Sequence, residues 1–209
     1  MYIPRAFEVK DREKLFAFIQ ANSFGILFSQ SNGQSCATHL PFLLEADSGS
    51  NGTLWGHFAR ANPHWQEIGG EVLAVFTGPH AYISPTWYEA ENTVPTWNYT
   101  AVHAYGHMTL IQEQEALLQL VQDTAHFYEA SMPTPWQFDS SQEFYRKMVG
   151  GIVGFKIEIT RLEGKWKLNQ NHPLERQQKV VKALQDSKDQ NEQAIAALMS
   201  ENLQTRNKQ

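Results

Sequence analysis

The chain has 209 residues, with 17 Lys and Arg against 22 Asp and Glu, for a net charge of −5. An apolar content of 42% and a charged content of 19% exclude a chain disordered throughout, and the length sets one domain, or one domain with an appendage. The acidic balance excludes a generally basic nucleic-acid footprint, and the single Cys36 excludes an intrachain disulfide or a four-cysteine zinc knot.

Asp11 is placed to cap a helix whose apolar positions are Leu15, Phe18 and Ile19. Asn22 to Gly25 breaks it. Gly25 to Ser29 reads as a buried strand, Ser31-Asn32-Gly33 as a hairpin turn, and Cys36 to Glu45 as the partner strand with Pro41 at a bulge or edge. Thr53 to Phe58 is a third strand. Asn62-Pro63 reads as an N-cap followed by Pro at the first helical position, opening a short helix through Ile68. Val72 to Thr77 is the clearest strand, Gly78-Pro79 is expected to turn it, and Ala81 to Ser84 to return. Thr96 to Ile111 leans toward strand, with Gly106 as a bulge. Glu113 to Tyr128 and Ser140 to Met148 read as helices, and Ile152 to Arg161 as a strand. From His172 onward there is no Gly. This segment carries two helical stripes, Val180, Val181 and Leu184, then Ile195, Leu198, Met199 and Leu203, with Ser187 and Gln190 at capping-box spacing and residues 205–209 fraying.

Strands that succeed one another without intervening helices argue against a doubly wound parallel sheet. They argue for a mostly antiparallel barrel with helices outside. No apolar run approaches the roughly 18 residues that span a bilayer. Met1 to Arg5 opens no leader-like stretch, so the expectation is a cytoplasmic protein without a membrane partner.

The chemistry is sparse. No dinucleotide fingerprint, P-loop, zinc-protease motif or nucleophile elbow is present, and no acid–base pair names a catalytic residue. Cys36 lies in an expected strand and reads as a packed residue. His103 and His107 are four apart, but on a strand that is roughly 13 Å, too far to share one ion, so no metal site is expected. The run Gly56 to Pro63 brings an Arg to a point where a strand ends and a helix begins, an arrangement that can hold a phosphate. The alternative there is an ordinary cap with Arg60 in a surface ion pair. Trp87, Tyr88, Pro95, Thr96, Trp97, Asn98 and Tyr99 form an aromatic and polar cluster. It suits a planar heterocycle or the seam of a dimer.

Several runs together resemble the PaiB family of FMN-binding split-barrel proteins. They are Met1 to Pro4 with Phe7, Ala37 to Pro41, Gly56-His57 through Asn62-Pro63, Phe76 to Pro85, Trp87-Tyr88, Val94 to Tyr99, Met148 to Ile152 and Lys167 to Asn171. The likeness reaches to about Leu184. It implies a mostly β antiparallel FMN-binding split barrel with peripheral helices and a helical C-terminal extension, divided as 1–171 and 172–209. It implies a homodimer with shared FMN pockets, related to pyridoxamine-phosphate oxidases and flavin reductases. The phosphate would be held by residues corresponding to His57, Ala59, Arg60 and Asn62. The strand carrying Thr38, His39 and Leu40 would line the ring or ribityl chain, and Trp97, Asn98 and Tyr99 would complete the pocket.

The resemblance also implies a role in transcriptional regulation, and DNA as a partner. The sequence has no helix-turn-helix, and residues 172–209 carry six basic against five acidic side chains, a net +1. The first reading is therefore a flavin-dependent redox or redox-sensing protein, with FMN-dependent oxidoreductase activity left open. The alternatives are a DNA-binding repressor that uses the barrel as a dimer platform, and a haem-handling split-barrel protein drawing an axial ligand from eight His.

Overall fold

The structure, a computed structural model, describes residues 1–31 and 33–206. Asn32 of the expected hairpin turn and residues 207–209 of the expected frayed end lie outside the described residues.

The strands are β1 (Glu8–Val9), β2 (Phe24–Ser31), β3 (Gln34–Pro41), β4 (Leu43–Glu45), β5 (Thr53–Ala59), β6 (Glu71–Ile83), β7 (Thr96–Ile111) and β8 (Ile152–Lys167). They form one antiparallel sheet in the order β3-β2-β6-β7-β8-β5-β4, with β1 paired to β8. The helices are α1 (Arg12–Ala21), α2 (Gln114–Glu129), α3 (Glu143–Met148), α4 (Leu174–Gln185) and α5 (Gln190–Arg206). The architecture is the antiparallel split barrel with peripheral helices that the sequence led us to expect. Among the described residues no helix is long and apolar enough to cross a membrane.

Several local expectations are met. Asp11 caps α1, its carboxylate accepting from the Lys14 N–H at 3.1 Å. Strand β7 spans the expected residues, and Gly106 within it has a plain steric reason. A Cβ there would lie 2.3 Å from the Glu158 carbonyl oxygen, so only Gly lets the two backbones approach this closely.

Three expectations are corrected. Gly78-Pro79 does not turn the chain: β6 runs on through both residues to Ile83. Gly78 is not in the positive-φ region that such a turn requires, and the fixed φ of Pro is compatible with extended backbone. Likewise β8 does not end at Arg161 but continues to Lys167. The cap of α5 is Asp189, whose carboxylate accepts from the Asn191 and Glu192 N–H groups at 2.8 and 3.1 Å, while Ser187 accepts from Asp189. A carboxylate at the helix N-terminus also gains from the dipole, which a Ser does not.

The chain divides into two compact units, and the long strands β6, β7 and β8 each contribute a segment to both. One unit comprises residues 16–76 and 103–162. Its core is built on phenylalanines: Phe42 meets Phe76 and Phe155 at 5.4 and 5.9 Å, and Phe58 meets Phe155 at 5.0 Å. Burying each such ring contributes roughly 1.5–3 kcal/mol. Helix α2 sets Leu117 and Leu118 against Val149, with Phe138, Tyr145 and Ile152 at the margin.

The other unit comprises residues 1–15, 77–102 and 163 onward. Helices α4 and α5 bury Val180, Leu184, Ile195 and Met199, the two stripes read from the sequence, alongside Ile83, Tyr88 and Leu168. The ring of Tyr88 stacks on His172 at 5.0 Å, and its hydroxyl accepts from the Asn169 amide at 3.1 Å.

Candidate functional site

Strand β5 delivers the site to its C-terminal end. Alternation turns His57 and Ala59 to one face and buries Phe58 on the other. At Ala59 the strand stops, and the Asn62 N–H donates to the Ala59 carbonyl at 2.9 Å, closing a tight turn over Arg60 and Ala61. The Arg60 N–H donates to Gly151 O at 2.8 Å, tying this turn to the start of β8.

Past the turn the chain makes a single 3₁₀ turn over Pro63–Gln66, in place of the helix expected through Ile68. Asn62 caps it as expected, its Oδ1 accepting from the His64 N–H at 3.0 Å. Pro63 has no N–H and the next one is taken by this cap, so a four-residue turn offers little dipole or free donor capacity to an anion. The charge at this point is Arg60 itself. Its Nε donates to Gly150 O at 2.7 Å and its Nη2 to Ile152 O at 2.9 Å. Both acceptors are neutral carbonyls, and the side chain has no carboxylate partner among the described residues. Two of the five guanidinium donors are spent on fixing the fork, and three remain for an anion. The ordinary surface ion pair that the sequence allowed is therefore not what Arg60 makes.

Behind the turn sits a polar chain that the sequence did not disclose. His64 is buried, its Nε2 2.7 Å from Ser29 Oγ and its Nδ1 2.7 Å from Thr38 Oγ1. The Asn62 amide donates to the same Thr38 oxygen at 3.2 Å. Burial holds the His64 imidazole below its ordinary pKa, although Glu67 pulls it upward, so the neutral ring is favoured. A neutral imidazole donates from one nitrogen and accepts at the other. If Nδ1 carries the proton, Thr38 accepts twice and its own hydroxyl proton is left to donate elsewhere.

The structure thus joins Thr38, Asn62 and, through backbone, Arg60 and Ala59 in one cluster. His57 is half-buried on the same strand and is also held below the ordinary imidazole range by burial. Along β3, Thr38 and the buried Leu40 point one way, while His39 is exposed on the opposite face, stacked on Phe24 at 6.4 Å. Trp97, Asn98 and Tyr99 belong to the other unit. There Trp97 is 53% exposed and packs on His80 and Tyr82. Tyr99 lies 5.0 Å from the Lys165 ammonium. Asn98 is turned inward, fully buried, with its amide against the Met199 sulfur.

These residues fit a flavin mononucleotide on the phosphate side: an anchored, uncompensated guanidinium beside hydroxyl and amide groups. A signal for His64 was present in Asn62-Pro63-His64, since the cap fixes the residue two places on. Ser29 and Thr38 are 35 and 26 positions away in sequence, so their convergence on that ring is visible only in the fold.

Comparison with known proteins agrees. Residues 1–161 match the model of the family described as "Putative FMN-binding domain". The chain is 38% identical over 206 residues to the protease synthase and sporulation protein PAI 2 of Bacillus subtilis, covering 97% of this chain and 98% of that protein. Among solved structures, the flavocytochrome Anf3 from Azotobacter vinelandii superimposes with a TM-score of 0.60 at 14% identity, covering 79% of this chain and 72% of that one. The FAD and heme binding protein from Mycobacterium smegmatis superimposes with a TM-score of 0.59 at 12% identity, covering 77% and 73%.

Proposed function

This chain belongs to the FMN-binding domain family, and we propose that it is a flavin-dependent redox or redox-sensing protein that holds the FMN phosphate at the Arg60 turn. When bound, FMN supplies one- and two-electron transfer. The chain's own part is to bind and orient it. Arg60 supplies charge at a fixed position, Asn62 and His64 set the Thr38 hydroxyl, and the half-buried His57 adds a neutral imidazole. We further propose a homodimer, supported by the exposed aromatics Phe24, Tyr82 and Trp97, which a monomer leaves in water. The regulatory role is a proposal as well, supported by the name of the Bacillus subtilis relative.

The observation that carries the reading is the Arg60 guanidinium, held by two backbone carbonyls and without a carboxylate partner among the described residues. It is tested by titrating FMN and riboflavin into the parent and Arg60→Ala proteins. Loss of a charge-assisted contact should weaken FMN by roughly 1.5–3 kcal/mol, about one to two decades in Kd, and leave riboflavin nearly unchanged. Because Arg60 is exposed, water can satisfy the freed carbonyls and the fold should survive. Equal losses for both ligands would mean that Arg60 does not read phosphate. The visible spectrum of the purified protein separates this reading from the haem alternative, which the names of the two structural neighbours raise. Flavin gives two bands in the blue and near-ultraviolet, haem a Soret band.

A further inference from the structure

A second cationic site lies within the unit that contains residues 163 onward, a unit to which the Arg60 turn does not belong. After β8 ends at Lys167, the chain passes through Asn169, left-handed at φ 61°, and reaches α4. The segment Asn92 to Thr96, Lys167, Asn171, His172 and Arg176 enclose a cavity of about 230 Å³. Three of its lining side chains are basic and none is a carboxylate.

The basic groups are not neutralised by the protein. Arg176 makes no hydrogen bond or ion pair among the described residues. Lys167 is half-buried and donates to Thr96 Oγ1 and to the Trp97 carbonyl oxygen, which fixes the ammonium and leaves one of its three protons free. His172 is held by its stack on Tyr88. Burial, and then the fields of Arg176 and Lys167, hold its imidazole below the ordinary value. A solvated surface would let two cations swing apart. Here one lining cation is pinned and desolvated, in a cavity whose lining holds a second cation and no carboxylate, so an anion would compensate charge that the protein does not.

We propose that this cavity binds the oxyanion group of a small ligand, with Arg176 and Lys167 supplying charge and the exposed Asn171 amide a further donor. The cavity is smaller than the roughly 300–1,000 Å³ that encloses a whole drug-sized molecule, so it takes one head group and leaves the rest of the ligand outside. Lys167 holds the Trp97 carbonyl, so the head group would anchor a ligand next to that exposed indole. The proposal does not depend on the flavin reading, because it uses none of the residues of the Arg60 turn.

The test is calorimetric titration of the full chain, as purified and FMN-loaded, with inorganic phosphate, sulfate and acetate at constant ionic strength set by chloride. Saturable phosphate binding in the parent, weakened at least about tenfold in Arg176→Gln, is expected. Strength for phosphate and sulfate over acetate would identify a phosphate- or sulfonate-bearing ligand, and the reverse a carboxylate. Arg176→Gln removes no side-chain hydrogen bond or ion pair among the described residues, so its melting temperature should stay close to the parent's, and its FMN affinity should be unchanged. Absence of saturable phosphate uptake up to about 10 mM, or equal uptake by the variant, overturns the site. A parallel loss of FMN affinity, with phosphate displaced by FMN, overturns it too, by making the cavity part of the flavin site. Failure of the flavin reading would show instead in Arg60→Ala, where phosphate uptake at this cavity would be untouched.

Discussion

At the scale of single residues, His64 links stability to pH. Its imidazole is buried between two hydroxyls and held below the ordinary value of 6.5, chiefly by burial. His57 and His172 are held low in the same sense, again with burial as the largest cause. Below about pH 6.5 the unfolded chain takes up protons that the native protein refuses, so it binds more protons and stability rises with pH. The contribution is full above that value and is lost as pH falls toward the folded-state values. Glu115 and Asp139 are depressed from 4.5 and 3.8, so their contributions fade only at more acid pH. The stability should therefore fall between about pH 7.5 and 5.5, by at most about 1.4 kcal/mol per pH unit for each histidine, and the melting temperature should fall with it. His64→Gln cannot take up the proton and should show a shallower slope in the same scan. An unchanged slope would remove His64 from the account. The sequence marked the Arg60 turn but not this ring, because a histidine's partners are set by which strands the fold brings beside it.

At the scale of elements, the strand-to-turn junction at Asn62 was legible because its signal is local: a capping residue followed by Pro. The length of the turn was not, since helix continuation depends on what packs above it. The runs through Gly78-Pro79 and past Arg161 were also hidden. A Gly-Pro pair looks the same in a turn and in an extended strand, and only the backbone angle distinguishes them. Asn62 carries two separable tasks, as its oxygen caps His64 N–H and its amide steadies Thr38. Asn62→Ala loses both and should cost about 1 kcal/mol, or roughly 2–4 °C in melting temperature for a chain of this size. Asn62→Asp keeps the cap acceptor and loses the donor, while adding a negative charge beside Arg60. It should melt close to the parent and yet bind FMN more weakly than Asn62→Ala, with riboflavin less affected. Equal FMN affinity in the two variants would show that no phosphate lies near position 62.

At the scale of the whole molecule, charge decides what large partners the protein can hold by itself. Backbone neutralisation by Lys and Arg dominates affinity for duplex DNA, and each contact needs a cation free to reach a phosphate. The chain carries 17 basic against 22 acidic residues. Its densest basic group, Arg161, Lys165 and Lys167, lies along β8. Arg161 lies over the Tyr105 ring at 3.5 Å, Lys165 is 7% exposed and donates to the Tyr2 carbonyl, and Lys167 is bound to Thr96 and Trp97. None of the three is a loose surface cation, and doubling them in a dimer does not make a phosphate-tracking row. The isolated protein should therefore bind DNA weakly and without sequence preference, and a regulatory effect would act through flavin state or a protein partner. Fluorescence anisotropy with promoter and scrambled duplexes at about 150 mM salt should give Kd values no tighter than about 10⁻⁶ M, alike for both, and weakening steeply as salt rises. Nanomolar binding to one duplex that survives excess competitor would place the repressor reading first. It would also require a cationic surface formed only when two copies of the chain come together.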